Sequence, residues 1–359
     1  VGGAPVVLAP SWLIVAVLLT VVFMPTVRAG APTLNPVATA LAAAAFPVLL
    51  AVSVLLHELG HGLTARRFGI PVTEYVVTLW GGHTQFDREL RSPGVSAAVA
   101  VAGPGVNAAL AGVSWWAAAR VGGVPGLLLD ASWLANGFVA AFNLLPGLPL
   151  DGGRVLEAAV WRLTGDRLRG SLVAGWAGRG IAIAAVGFGL GWPLAQGRQP
   201  TLVTTLSAVL VAALLWAGAG QGIAAARIRR AASGLDLRRL AAPAATVAAW
   251  ANVAQLDGLP AGTAAVVVDD AGTPVALVDP QAAAGVPPSL RAGTPVAAVA
   301  TALAPASVVR DLEGMSAVRA MTAAQHAGRA AVLVDDEPDG PRVLGVVLVA
   351  SVARALGVR

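Results

Sequence analysis

The chain has 359 residues, of which 57% are hydrophobic and only 12% charged, and its mean hydropathy is +0.75. About a quarter of the residues in a soluble domain are charged, so this composition excludes an ordinary soluble protein and predicts a polytopic helical protein of the lipid bilayer. Cysteine is absent, which excludes disulfides and thiolate metal sites, and the net charge of +5 comes with no basic, aromatic-interleaved patch, which excludes nucleic acid as a partner.

Six apolar runs approach the ~20 residues that a membrane-crossing helix needs: 6–27, 38–66, 94–120, 126–146, 171–192 and 201–226. The first lacks a basic leader and a small-residue cleavage site, and is expected to be a retained span. With the N-terminus inside, the inner segments carry thirteen arginines and the outer loops three, Arg28, Arg120 and Arg198. The positive-inside rule then places the N-terminus and the C-terminal tail in the cytoplasm. All 24 basic residues are arginine in an alanine- and glycine-rich chain, a composition of high-GC coding that points to a bacterial plasma membrane. Arg179 falls within the fifth run and has no evident role there.

The second run contains 53-SVLLHELGHGLTARR-67. Ionisable groups are expensive in hydrocarbon, so three of them together call for a function. In the H-E-x-x-H pattern of His57, Glu58 and His61, four residues advance a helix by about 400°, which leaves the two imidazoles about 40° apart on one face. Both can then hold one metal ion, with Glu58 beside the water that the ion activates. Between runs two and three, 71-PVTEYVVTLWGGHTQF-86 changes character. Val76, Val77, Thr78, Leu79 and Trp80 favour a strand, and Gly81-Gly82 signals a hairpin turn. His83 in this segment is expected to be a hairpin residue without metal contact.

A catalytic zinc site has three protein ligands and one open position. The fourth run ends in 143-NLLPGLPLDGGR-154, where Pro146, Gly147 and Pro149 must break the helix before Asp151. Asp151 either caps the helix that starts near Gly152 or supplies the third ligand. It lies near the inner end of its span, as HELGH does, so the two segments can meet.

The sixth run leads into a basic stretch, 227-RIRRAASGLDLRR-239. The expected organisation is a membrane domain over 1–230, a juxtamembrane linker over 231–240 and a soluble α/β tail over 241–359. In the tail, 264-AAVVVDDAGTPVALVD-279 reads as strand–turn–strand, and 330-AAVLVDDEPDGPRVLGVVLV-349 repeats it about 65 residues later. Alanine-rich stretches at 244–255 and 315–325 before the two copies are expected to be helices.

HELGH in one span combined with N-x-x-P-x-x-P-L-D-G-G in a later one resembles the site-2 protease family of intramembrane zinc metalloproteases; 81-GGHTQF-86 and 102-AGPGVN-107 resemble its hairpin and third-span signatures. The resemblance covers about residues 50–155. It implies a Zn²⁺ held by His57, His61 and Asp151, with Glu58 as catalytic acid and base and Asn143 assisting transition-state binding. It also implies regulated intramembrane proteolysis of a transmembrane protein, such as a membrane anti-sigma factor. Asn107 reads as a helix-kink and packing residue to which the resemblance adds a site-orienting role.

The repeated tail resembles a pair of cystathionine-beta-synthase (CBS) domains, which occur on one branch of that family and imply regulation or homodimerisation. CBS pairs bind adenine nucleotides through a Thr and an Asp after the last strand. Here Leu348 and Ser351 stand at those positions in the second copy, and Asp279 and Ala282 in the first. The ribose-binding Asp is missing from both, which leaves a degenerate regulatory or dimerising module and a nucleotide sensor as equal alternatives. The rival reading is a CBS-tailed channel or transporter, which needs carboxylates along a pathway and no i, i+4 histidine pair. A non-catalytic membrane adaptor, in turn, has no use for Glu58.

Overall fold

The computed structural model describes residues 3–78, 81–338 and 340–357. The chain forms two compact units, Val1–Ala224 and Ala225–Arg359.

The first unit opens with β1 (Val6–Leu8), followed by α1 (Trp12–Gly30) and α2 (Pro36–Arg67). The first helix therefore begins later than the expected residue 6. Pro10 lacks the N–H that a continuous helix needs, and the Val-Val-Leu run ahead of it pairs in parallel with β2 (Val72–Thr78), Val7 opposite Val76. β3 (Gly81–Phe86) pairs antiparallel with β2, so the sheet order is β1-β2-β3. The hairpin is present, but Gly81 and Gly82 open β3 instead of forming its turn. Leu79 and Trp80, expected in the strand, lie outside the described residues.

α3 (Pro93–Ala118), α4 (Gly123–Asn143), α5 (Asp151–Thr164), α6 (Arg167–Ala195) and α7 (Leu202–Ala232) follow. α1, α2, α3, α4, α6 and α7 are long and apolar enough to cross a membrane. Their ends follow from local chemistry. Asn35 accepts from Ala38 N–H at 2.9 Å and Ser92 from Val95 N–H at 3.3 Å, each before a proline at the first helical position. Asp166 accepts from Leu168 N–H at 2.8 Å and caps α6. α5 ends at Gly165, whose left-handed φ of 70° closes the turn. Buried Glu157 of α5 meets Arg167 Nε at 3.0 Å, and the same guanidinium reaches Glu89 at 3.2 Å, fastening α5 and the start of α6 to the segment before α3.

The loop 144–150 between α4 and α5 is seated in a cleft of small residues. Leu148 N–H donates to the Ala174 carbonyl at 2.9 Å. The Leu148 carbonyl lies against Gly178 of α6, and the Pro149 ring against Gly218 of α7, where any Cβ would collide. Arg179, next to Gly178, lies between the Trp176 and Trp216 rings, its guanidinium carbon 4.8 and 4.7 Å from their centroids. Cation–π attraction to two indoles gives this arginine partners within the fifth span.

The second unit contains β4 (Ala244–Ala248), β5 (Ala264–Val268), β6 (Pro274–Val278), α8 (Pro280–Ala284), β7 (Ala300–Ala302), β8 (Val308–Val309), α9 (Gly314–Ala327), β9 (Ala330–Glu337), β10 (Gly340–Leu348) and α10 (Val349–Ala355). Its sheets run β4-β5-β6-β7 and β10-β9-β8. In each half a first strand pairs in parallel with a second, which pairs antiparallel with a third: β4, β5 and β6, then β8, β9 and β10. The expected helix at 315–325 is α9. The one at 244–255 is instead β4 followed by a 3₁₀ turn, Val253–Gly258. Pairing with the Val266–Val268 run and burial of Val247 outweigh the helix propensity of the alanines. Residues 231–240, expected as a juxtamembrane linker, pack into the second unit. Leu235 and Leu237 are buried with Leu312, Met321 and Leu333, and Leu237 N–H donates to the Leu312 carbonyl at 2.9 Å.

Overpacking a tight contact costs about 1–3 kcal/mol. Gly178→Val is therefore expected to lower the thermal midpoint of the full chain in detergent. Gly180→Val, where the added atoms meet open space, should leave it unchanged; equal midpoints would contradict the seating of the loop.

Candidate active site

α2 carries His57, Glu58 and His61 on its buried face. The imidazoles are edge to face, with Nε2 atoms 3.1 Å apart. α3 crosses directly over them at Gly103, where a Cβ would strike both rings. The backbone of α3 then reaches the back of one ring: Nδ1–H of His61 donates to the Val99 carbonyl at 2.7 Å. Nδ1–H of His57 donates to Asn107 Oδ1, four residues farther along α3 than Gly103. With both Nδ1 atoms engaged as donors, both Nε2 lone pairs are free and point to the same place.

Asp151 meets them there. Its Oδ2 is 3.1 Å from His57 Nε2 and its Oδ1 3.4 Å from His61 Nε2. Leu150 is the N-cap of α5 and makes no side-chain cap bond, so the capping alternative for Asp151 does not hold. The carboxylate reaches the histidines because the chain doubles back so tightly that a Cβ at Gly152 or Gly153 would collide with the backbone of 144–148.

The three side chains fit a zinc ion. Each offers one donor atom, all within 4.8 Å of one another. Donors about 2.0–2.1 Å from a tetrahedral ion lie roughly 3.3 Å apart, close to the separations here. Two imidazoles and one carboxylate leave a fourth position open, as catalytic zinc sites do.

Glu58 is buried, and its Oε2 accepts from the Thr84 hydroxyl on β3 at 2.7 Å. Asn143, the last residue of α4, lines with Glu58 and Asp151 a cavity of about 710 Å³. That cavity extends along α2 to Phe46, three turns from His57, where Phe23 stacks on it. His83 lies exposed on β3 at the cavity and does not join the cluster. Asn107 is fully buried on the metal side of α3, which puts it at the site and not merely in helix packing.

Three partners escaped the reading of the sequence: Thr84, Asn136 and Ser53. Asn107 Nδ2 donates to Asn136 Oδ1 at 2.7 Å, and Asn136 Nδ2 donates to Ser53 Oγ at 3.0 Å. The usable signal was that amides and hydroxyls stand inside apolar spans, where each needs a partner.

Residues 45–125 and 117–187 match peptidase family M50. The chain is 36% identical over 195 residues to the "Putative zinc metalloprotease sll0528" of Synechocystis, covering 52% of this chain and 50% of that protein; it thus spans half the length of that relative. It is 30% identical over 321 residues to the "Putative zinc metalloprotease Rip3" of Mycobacterium tuberculosis, covering 87% of this chain and 80% of that one. The solved site-2 protease of Methanocaldococcus jannaschii superposes with a TM-score of 0.41 at 23% identity, over 62% of this chain and 92% of that one. Similarity that runs through four-fifths of a zinc metalloprotease relative, with a family match over the zinc-fitting cluster, shows the family: the chain is a multi-pass membrane protein that belongs to peptidase family M50, a family of zinc metalloproteases.

Proposed function

We propose that this chain hydrolyses a peptide bond within or near a transmembrane segment of another membrane protein. The observation that carries the reading is that the His57–His61–Asp151 cluster and the carboxylate of Glu58 line one cavity within a bundle of apolar helices. Those three residues would hold a zinc ion, which would supply a Lewis acid for a peptide carbonyl and lower the pKa of water toward neutrality. Glu58 takes the proton from the attacking water and delivers it to the leaving amide nitrogen. Its Thr84 hydrogen bond orients one carboxylate oxygen and leaves the other for that task. Asn143 donates a hydrogen bond to the carbonyl oxygen as it gains charge.

A helical substrate hides its peptide bonds in its own ladder, so it unwinds and binds as an extended strand. Among the described residues β3 has only β2 beside it. Tyr75 N–H and the Val77 carbonyl face β1, so Val76 and Thr78 face β3 and pair with His83 and Gly81. By that alternation the main-chain groups of Gly82 and Thr84 face the open edge, beside Glu58. The substrate adds to this edge.

The arginine distribution supports a bacterial plasma-membrane protein with the N-terminus and tail cytoplasmic and the site near the cytoplasmic side. The two β-x-β-β halves support reading the tail as a CBS pair that regulates the protease or pairs two copies of it. The substrate class is a single-span membrane protein, of which a membrane anti-sigma factor is the candidate.

Removing a general base slows a reaction by about 10²–10⁴-fold. Glu58→Gln is expected to keep the wild-type zinc content and lose cleavage by that factor, whereas His57→Ala loses zinc. Retained proteolysis in Glu58→Gln, read from membrane-protein fragments in cells, would overturn the assignment. Gln85→Pro breaks the ladder that holds β3 in place and should lower cleavage at least about tenfold with zinc retained. Full activity there would count against strand addition.

A further inference from the structure

His57 and His61 are held by different means. Nδ1–H of His61 donates to a main-chain carbonyl, that of Val99. A carbonyl can only accept, so His61 has one tautomer. His57 donates to the Asn107 side chain, and an amide has two ends. Turned over, Asn107 would present its NH₂ to His57. Nδ1 would then accept, and the proton would move to Nε2, the atom that has to face the metal.

The neighbours of Asn107 forbid that turn. Its nitrogen donates to Asn136 Oδ1 at 2.7 Å. Asn136 could itself turn over, but its nitrogen donates to the main-chain carbonyl of Ser132 at 2.9 Å, and that group can only accept. Asn107 and Asn136 are 1% and 2% exposed, so little of either amide meets the cavity that they line, and the bonds between them are made in a poorly screened interior. The polarity therefore runs one way, from the Ser132 carbonyl of α4 through two amides to the imidazole on α2.

We infer that Asn136 is a positioning residue of the metal centre. Anchored on the Ser132 carbonyl, it sets the amide of Asn107, and through it the tautomer that leaves His57 Nε2 free to bind zinc. This rests on the reading of His57, His61 and Asp151 as the ligands.

The test uses the purified full chain in detergent or nanodiscs. Zinc affinity is measured by competition with a chromogenic chelator, and the imidazole tautomers are read from ¹⁵N NMR of the metal-free protein. Loss of a group that orients a ligand weakens metal binding about 10–100-fold. Asn136→Leu is expected to do so and to give His57 a mixture of tautomers. Ser114→Ala removes a hydroxyl 2.9 Å from Ser132 Oγ while leaving the carbonyl bond to Asn136 intact, and should match wild type in both readouts. If Asn136→Leu does not fold, Asn136→Ser, too short to reach both neighbours, takes its place. Wild-type protein that holds no zinc overturns the metal-site reading itself. Wild type that holds zinc, with the Asn136 variant within threefold of it and His57 in one tautomer, overturns this inference alone.

Discussion

A carboxylate and two imidazoles stay within 3.4 Å of one another inside an apolar bundle only if each remaining polar atom around them also finds a partner. Much of the first unit follows from that constraint. The Nδ1 atoms draw in the Val99 carbonyl and Asn107, so α3 must run close, and Gly103 makes the approach possible. Asn107 needs an acceptor for its nitrogen, which ties in α4 through Asn136. Asp151 has to come from a helix that breaks inside the bundle. Its loop spends its own polar groups on α6, with Leu148 N–H on the Ala174 carbonyl. Bilayer apolarity thus dictates helix arrangement here through hydrogen bonds more than through hydrophobic burial, for which lipid offers no gradient.

This explains what was legible in the sequence and what was not. HELGH is a local signal: helical periodicity alone puts His57 and His61 on one face. Pro146, Pro149 and the Gly152-Gly153 pair likewise announce a broken helix wherever they occur. The membrane spans are local too, being runs of composition. β1 is not local. Val6–Leu8 reads equally well as the start of a span, and only its partner Tyr75–Val77, about seventy residues away, makes it a strand. Asn136 escaped for the same reason, since its meaning lies in Asn107 and Ser132. Thr84 stood in a quoted motif, but its hydroxyl has a role only because β3 folds back over α2.

The tail makes the point in reverse. Its repeat was visible because two acidic turns flanked by valine runs recur at fixed spacing. Alanine misled at 244–255, where helix propensity is high but the pairing groove beside Val266–Val268 offers ladder bonds and burial for Val247. At 231–240, where a juxtamembrane linker is expected, Leu235 and Leu237 between the arginines carry the packing, and Arg238 meets Glu313 at 2.8 Å on the surface.

The hairpin and Glu58, the proposed general base, are one mechanical piece. Thr84 donates to Glu58 Oε2 at 2.7 Å, and the Glu58 carbonyl is 3.1 Å from the same hydroxyl. β3 is thus fastened to the α2 turn that also carries His57 and His61. A strand that adds to β3 is held at a distance from Glu58 set by a single side chain. Any displacement of the hairpin moves the base with it. In the proposed reaction, substrate registration and proton transfer share one structural reference, which is what a reaction sensitive to ångström-scale misplacement requires.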